Sequence, residues 1–451
     1  MQFPTGGIAH EPKGMIRCNS EADSTVWMKE DRVNAGMIIP APMVSLWNVF
    51  HSGAFSFPWA RGPLPHHGAL NILFKALFCW GCTMNDMDYM GLALELAERG
   101  RGWTNPNPMV GVVIVKDGRI IGEGYHHRCG ALHAEREALA ACSESPAGAT
   151  LYVTLEPCCH HGRQPPCTQA ILEAGISRVV VGSGDPNPLV AGKGLEFLRA
   201  HGLAVETGVL QAECDALNDV FFHYIRTKRP YVVMKYAMTM DGKIATRTGA
   251  SQWITGEEAR RRVHQDRHRC AAIMAGVGTV LADDPLLTCR MEGGRNPLRV
   301  ICDTHLRTPL DSQLVRTARE VPTILAVGEE ASDKAAPYRE AGCQVWAIPE
   351  REGHVDLSLL MERLGAAEID SVLLEGGGTL NWAALERGIV RRVQAYIAPK
   401  LFGGAAAKSP VAGLGVELPA QAVRLKNITV TQIGEDFLLD GEVDTDVHGN
   451  R

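Results

Sequence analysis

The spacing of apolar and polar positions divides the chain near residue 84. Before that point Gly, Pro, Trp, His and Phe are mixed without a sustained helical or strand period. Phe55-Ser56-Phe57-Pro58-Trp59 and Pro63-Leu64-Pro65-His66-His67 read as neither core nor solvated linker. From Met84 the texture is regular. Residues 88–97 carry an amphipathic helix start. Residues 110–116 and 119–124 are apolar runs joined by Asp117-Gly118, a hairpin signal. Helices over 133–142, 168–174 and 192–201 alternate with strands over 150–154 and 178–182. A helix over 211–227 leads into a linker at Lys228-Arg229-Pro230. The alternation predicts a layered α/β domain. A second series begins with a strand over 231–237. Further strands fall at 271–275, 299–302, 323–327, 344–348, 371–374 and 392–397, with helices between several of them. An antiparallel hairpin of 428–433 and 436–442 closes the series. The expected division is 84–228, 229–445 and a tail of 446–451. Residues 1–83 are expected to be disordered or an upstream translated leader, the true start being Met84 or Met87.

Composition narrows the class. The chain has 451 residues, 45% hydrophobic and 21% charged, the profile of a soluble globular protein of two or three domains. Its net charge of -6 and 6% aromatic content disfavour a polynucleotide partner, which is held by Lys and Arg with interleaved aromatics. A small phosphorylated substrate needs only a local basic pocket. Thirteen cysteines in so long a chain do not form a secreted disulfide framework. No signal peptide and no run of about 18 apolar residues is seen, so a cytoplasmic location without membrane contact is expected. Cys79-Trp80-Gly81-Cys82 is a C-x-x-C without the βαβ context of a redox motif.

The chemistry concentrates between residues 133 and 167. His133-Ala134-Glu135 opens a helix, Glu156-Pro157-Cys158 follows a strand, and Cys167 comes nine positions after Cys158. One imidazole and two thiolates leave a tetrahedral Zn2+ with one open position for water. The metal lowers the pKa of that water toward ~7. Glu135, on the first helical turn, would shuttle the proton to departing ammonia. An H-x-E followed by P-C and a further Cys is the arrangement of zinc deaminases. The spacing departs from the usual P-C-x-x-C, and the insert 159–166 holds other ligand types. A closed structural zinc with Cys159 or a His as fourth ligand is the competing reading, and it would leave Glu135 idle.

This segment, with Thr104-Asn105-Pro106-Asn107-Pro108-Met109-Val110-Gly111 and Gly184-Asp185-Pro186-Asn187-Pro188, resembles the deaminase half of the bifunctional riboflavin-biosynthesis family. The resemblance implies a cytidine-deaminase-like three-layer α/β/α domain. It also implies hydrolysis of the 2-amino group of a diaminopyrimidinone bearing a phosphoribosylamino group. By it Asn107 would hold the pyrimidine, with Arg163, Asp185 and Asn187 as further substrate contacts. Asn107 between two prolines also reads as a turn residue.

The second series lacks G-x-G-x-x-G. It has Glu375-Gly376-Gly377-Gly378-Thr379-Leu380-Asn381 between an apolar strand and a helical stretch. Glycines there let backbone N–H groups approach a pyrophosphate at a helix N-terminus, although a ligand-free tight turn explains them too. The runs from Lys235 to Ala245, Ser251 to Thr255 and Gly278 to Thr288 are similar to the reductase half of the same family. That half implies a dihydrofolate-reductase-like α/β domain that uses NADPH, leaving NADP+, to convert ribosyl to ribityl. By this resemblance Ala237, Trp253, Thr279, Asp283, Thr304, Gly377, Gly378, Thr379, Leu380, Asn381, Trp382 and Ala383 would line the cofactor. Ser251, Arg267, Leu287, Arg290 and Glu375 would contact substrate. Asp283 is the candidate for proton handling, and could equally be structural. Arg267 and Arg290 suit a phosphate, or a solvated surface. The expected partner is a small phosphorylated pyrimidine, with no nucleic acid, no membrane, and a homo-oligomeric state. A nucleic-acid deaminase, or a non-catalytic zinc module with a nucleotide-sensing domain, are the readings from other classes.

Overall fold

The structure, a computed structural model, describes residues 84–161 and 165–444 and the backbone of two short paired strands, Met15–Asn19 and Thr25–Lys29. The remainder of 1–83, including the Cys79–Cys82 motif, and the tail after Asp444 lie outside the described residues.

The first regular element is the helix Asp86–Glu98. Asn85 caps it, its side chain accepting from the Met87 and Asp88 amides while Asp88 accepts from the Asn85 amide, which satisfies donors a helix start leaves bare. Gly111–Lys116 and Arg119–Tyr125 form the expected hairpin. Asp117 and Gly118 both take positive φ, as a two-residue turn of matching twist needs. A five-stranded sheet runs in the order Arg119–Tyr125, Gly111–Lys116, Thr150–Leu155, Arg178–Ser183, Ala204–Thr207; the first two pairings are antiparallel and the last two parallel. Alternation puts Val112, Ile114, Leu151, Val153, Val179 and Val181 on one face. Val113, Val115, Tyr152 and Val180 lie on the other, against Tyr89, Met90 and Ala93 of the first helix. Both faces are covered by helices, so the three-layer α/β/α expectation holds.

One expected element is divided. The helix over 211–227 is two helices, Gln211–Leu217 and Asp219–Thr227. Asn218, at φ -111 and ψ 22, leaves the helical path between them. Its buried side chain takes the Met109 amide hydrogen and gives one back to the Met109 carbonyl, each at 2.9 Å. A tertiary contact outweighs local helical continuity there. The strand Ala204–Thr207 has no counterpart in the sequence reading: it is four residues long and mostly exposed, so its pattern carries little signal.

The second series forms one nine-stranded sheet. Its order is Gln344–Ala347, Thr323–Val327, Leu298–Cys302, Ala272–Gly276, Ser371–Leu374, Tyr231–Thr239, Val390–Ala398, Asp436–Val443, Leu425–Ile433. The first seven are mutually parallel, and the closing hairpin joins antiparallel at the edge. Val232, Met234, Ala272, Met274, Val300, Val372 and Leu374 pack on one face, and Ile273, Ala275, Ile301, Leu325 and Val327 on the other. Burial on both faces explains the near-continuous apolar strands.

The strand Arg119–Tyr125 approaches the helix Ala134–Ala140 unusually closely. A Cβ on Gly124 would lie 2.4 Å from the Ala138 amide nitrogen, and one on Gly122 would lie 2.5 Å from the Ala138 carbonyl oxygen. Gly124→Ala must therefore push the helix off the sheet, an overpacking cost of about 1–3 kcal/mol. Urea unfolding followed by tryptophan fluorescence is expected to show an earlier first transition; an unchanged midpoint would mean the helix moves freely.

Candidate active site

The helix Ala134–Ala140, held on its glycines, presents His133 as its N-cap residue. Cys158 lies just beyond the strand Thr150–Leu155, and Cys167 opens the helix Cys167–Glu173. The loop joining the cysteines is tied back on itself: the Thr168 amide donates to the Cys158 carbonyl, and the Cys167 amide approaches Cys158 Sγ at 3.4 Å. Arg136, on the same helix as Glu135, donates to the Pro165 and Pro166 carbonyls at 3.2 Å each and so fixes the approach to Cys167.

His133 Nδ1 stands 3.6 Å from Cys158 Sγ and 3.3 Å from Cys167 Sγ. All three donor atoms lie within 4.8 Å of one another. A tetrahedral zinc with sulfur at ~2.3 Å and nitrogen at ~2.0 Å sets ligand edges of roughly 3.5 Å, so the donor set fits that ion. Among the described residues neither Cys159, His160 nor His161 joins the cluster. The expected alternative of a closed four-ligand site is therefore not what the described residues form. The thiols are polarised by one another: the hydrogen bond from Cys167, and then His133, draw Cys158 below the ordinary thiol range, while that same pairing and burial push Cys167 up. A cation at the site would favour the thiolate form of both sulfurs.

Glu135 is 4% exposed. Burial, then the neighbouring Cys158, raises its carboxyl above the usual range. Asn107 is oriented by a residue the sequence reading did not single out. His126 is buried, and its Nδ1 lies 2.9 Å from the Leu132 carbonyl, an acceptor, so Nδ1 carries the proton. Its Nε2 then accepts from Asn107 Nδ2 at 3.1 Å, and the Asn107 amide oxygen is left for another donor. Burial pushes His126 below the ordinary imidazole range, which favours this neutral form. The signal in the sequence was weak, one His among the His126-His127 pair after a strand.

Asp185 and Asn187 sit in the loop after the strand Arg178–Ser183. Asp185 accepts from the Asn187 amide and Asn187 from the Leu189 amide, and burial raises Asp185 to about 6. Glu156 anchors this loop: its carboxylate accepts from the amides of Gly192 and Gly194 at 3.0 Å each, with Asp185 at 3.4 Å. The residue before Pro157-Cys158 thus ties the metal segment to the Asp185 loop. Arg163 lies outside the described residues.

In the second sheet the expected residues follow the carboxyl ends of adjacent parallel strands, where open α/β sheets bind ligands. Thr279 and Asp283 lie on the helix after Ala272–Gly276, Thr304 after Leu298–Cys302, and Glu375 to Ala383 after Ser371–Leu374. Ala237 is near the end of Tyr231–Thr239. The helix Gly378–Glu386 starts in the glycine turn with Gly377 as N-cap, and Asn381 donates to the Pro410 carbonyl at 2.8 Å. Thr379, Leu380, Trp382 and Ala383 share that helix. Trp253 is exposed, with the Arg260 guanidinium 4.6 Å from its ring centre. Ser251 donates to Asp283 at 3.3 Å. Arg290 is exposed, whereas Leu287 is buried against Ile273 and Ile301.

Glu375 is the electrostatic centre of this half. Arg267 Nε and Nη2 grip its two oxygens at 2.7 and 3.0 Å, and Lys235 Nζ lies 3.6 Å away. Arg267 also donates to the Thr288 carbonyl, so most of its fork is committed within the protein. Lys235 was in the quoted motif but was not expected as a site residue; a lysine inside an apolar strand was the available signal. Burial alone would raise the Glu375 carboxyl, but Arg267 and Lys235 outweigh it and hold it at about 2 against an ordinary 4.5. The sign follows: a depressed folded value stabilises above pH 4.5 and is lost as pH falls toward 2. Stability measured against pH in the Glu375→Gln variant is expected to lack that acid limb; a limb identical to wild type would show that the pair contributes nothing.

A three-ligand cluster that fits zinc on an α/β/α layer, followed by a second α/β domain with a mostly parallel sheet, is the layout of a two-function deaminase–reductase. Residues 83–183 match the cytidine and deoxycytidylate deaminase zinc-binding region, and residues 230–439 match the RibD C-terminal domain. The riboflavin biosynthesis protein RibD of Actinobacillus pleuropneumoniae is 57% identical over 358 residues, covering 79% of this chain and 95% of that protein. The Escherichia coli RibD is 43% identical, covering 79% and 99%. Among solved structures, Acinetobacter baumannii RibD form 1 superposes with a TM-score of 0.72 at 38% identity, over 80% of this chain and 99% of that one. A diaminohydroxyphosphoribosylaminopyrimidine deaminase/5-amino-6-(5-phosphoribosylamino)uracil reductase from Thermotoga maritima gives 0.70 at 39%, with the same coverage. The chain belongs to the RibD family of riboflavin biosynthesis proteins.

The metal assignment has a direct consequence. Cys167→Ser is expected to bring zinc from about one equivalent per chain to a small fraction of that, measured by elemental analysis after dialysis. Full retention would mean that the ion is held elsewhere.

Proposed function

We propose that the chain acts on diaminohydroxyphosphoribosylaminopyrimidine, as the Thermotoga relative is named for doing, first deaminating it and then reducing the sugar of the 5-amino-6-(5-phosphoribosylamino)uracil product. The observation that carries this reading is the His133–Cys158–Cys167 cluster beside the buried Glu135. We propose residues 84–228 for deamination and 229–445 for reduction, with 1–83 and 446–451 outside both.

His133, Cys158 and Cys167 would hold zinc, which would supply an activated water at neutral pH. Glu135 would hold the proton of the attacking water and hand it to the exocyclic nitrogen. The new carbon–oxygen bond replaces the carbon–nitrogen bond, and ammonia departs. Asn107, aimed by His126, accepts a hydrogen bond from the pyrimidine through its amide oxygen, with Asp185 and Asn187 as further contacts and Arg163 expected to take part. Bound NADPH would supply the hydride for reduction of the opened sugar. Thr279, Thr304, Trp253, Ala237 and the segment 377–383 hold that cofactor. Asp283, next to Ser251, supplies the proton, and Arg290 meets the phosphate. Glu375 faces substrate with Arg267 and Lys235 fixing its charge, and the backbone at Leu287 completes the pocket. The net charge of -6 suits a small phosphorylated pyrimidine better than a nucleic acid. Among the described residues no helix is long and apolar enough to cross a membrane. A cytoplasmic homo-oligomer with no membrane contact completes the proposal.

Glu135→Gln is expected to keep zinc and lose deamination by about 10²–10⁴-fold, while NADPH oxidation with separately supplied deaminated ribotide continues. Undiminished ammonia release would remove Glu135 from the mechanism. Asp283→Asn is expected to bind NADPH normally, by fluorescence titration, and to reduce slowly; unchanged turnover would leave Asp283 a binding residue.

A further inference from the structure

The loop that carries Asn107 is built on the reductase half. Gly102 lies so close to the helix Glu257–Arg269 that a Cβ there would stand 2.6 Å from the His268 carbonyl oxygen. The Trp103 ring meets the His268 ring edge-on, with centres 5.4 Å apart. Asn105 Nδ2 then reaches Asp370, donating toward Oδ1 at 2.9 Å and Oδ2 at 2.8 Å. Asp370 is 2% exposed and stands just before the strand Ser371–Leu374, which Glu375 follows. It is itself held in place. The Ser371 hydroxyl donates to it at 2.7 Å and receives the Ala271 amide hydrogen at 2.9 Å, while the Asp370 carbonyl receives the Tyr231 amide hydrogen at 2.7 Å.

The loop has little freedom between its fixed points. Pro106 and Pro108 each lock one φ. On the far side Met109 is tied by both its backbone groups to Asn218. Asn107 therefore sits between a clamp from its own half at Met109 and a clamp from the other half at Asn105. Within its own half Asn107 is held by the Thr104 carbonyl, by His126 and through Met109, so loss of the Asn105 clamp shifts the loop rather than frees it; a displacement of about 1 Å at a binding group is enough to cost on the order of a hundredfold.

We propose that Asp370, in the reductase half, is a positioning residue for the deaminase: through Asn105 it sets where Asn107 presents its amide to the pyrimidine. This rests on the reading of Asn107 as a substrate contact. It makes the deaminase dependent on the other half for its binding geometry, although the metal and Glu135 come from its own half.

The test uses the full chain with four variants: Asn105→Ala, Asp370→Ala, the exchange Asn105→Asp with Asp370→Asn, and Asn107→Ala. In the exchange the amide at 370 donates to the carboxylate at 105 and still accepts from Ser371, so the clamp is rebuilt with donor and acceptor reversed. Zinc content and NADPH oxidation on separately supplied deaminated ribotide report the integrity of each half. The expected result is a KM for deamination raised about tenfold in both single clamp variants and in Asn107→Ala. Zinc and reduction stay unchanged, and the exchange recovers most of the loss. A raised KM in Asn107→Ala with normal values in the clamp variants would overturn the proposal and leave the substrate role of Asn107 standing. So would zinc or reduction falling in step with deamination, because the contact would then be merely structural. A normal KM in Asn107→Ala would instead remove the substrate role, and the proposal with it.

Discussion

Two sulfurs and one imidazole nitrogen, brought within tetrahedral edges of each other, are the constraint around which the first half of the molecule is organised. His133 is at the start of one helix, Cys167 at the start of another, and Cys158 just past a strand. None of these positions is fixed by its own element alone. Close helix–sheet contact at Gly122 and Gly124 sets His133, the Cys158–Cys167 backbone contacts set the sulfurs, and Arg136 joins the two. Two sulfurs and an imidazole brought this close favour a dication between them, with Cys167 buried and Cys158 and His133 partly so.

The second half answers a different electrostatic problem. A carboxylate at the end of an interior strand is kept ionised by a bidentate guanidinium and an ammonium, Arg267 and Lys235. The buried ion cluster fixes the orientation of these side chains at the strand edge, where the glycine turn and the helix Gly378–Glu386 begin. One strand, Ser371–Leu374, has Glu375 at one end and Asp370, the partner of Asn105, at the other. A single strand therefore joins the Asn105 contact at one end to the Glu375 ion cluster at the other.

Much of this was legible from local pattern. The Asp117-Gly118 turn, the parallel strands of Val, Ile and Leu, and the His133, Glu135, Cys158 and Cys167 spacing each state their structure within a short window. What was not legible depends on distant partners. The break at Asn218 answers to Met109, more than a hundred positions away. His126 acquires meaning only once Leu132 and Asn107 are placed on either side of it. Arg267 reads as a free phosphate ligand until Glu375 is seen in its fork. Leu287 resembles a pocket residue by motif, yet its side chain belongs to the core. Charge and polarity are visible in a sequence; the pairing that gives them a role is set by the fold.

Zinc K-edge absorption of the full chain tests the coordination most directly. The structure predicts a first shell of two sulfurs at ~2.3 Å and two light atoms at ~2.0–2.1 Å, one from His133 and one from solvent, with the light-atom shell changing when a small anion competes for the open corner. A shell of three sulfurs and one nitrogen, insensitive to added anion, would mean that another cysteine closes the site and would contradict the catalytic reading of the metal.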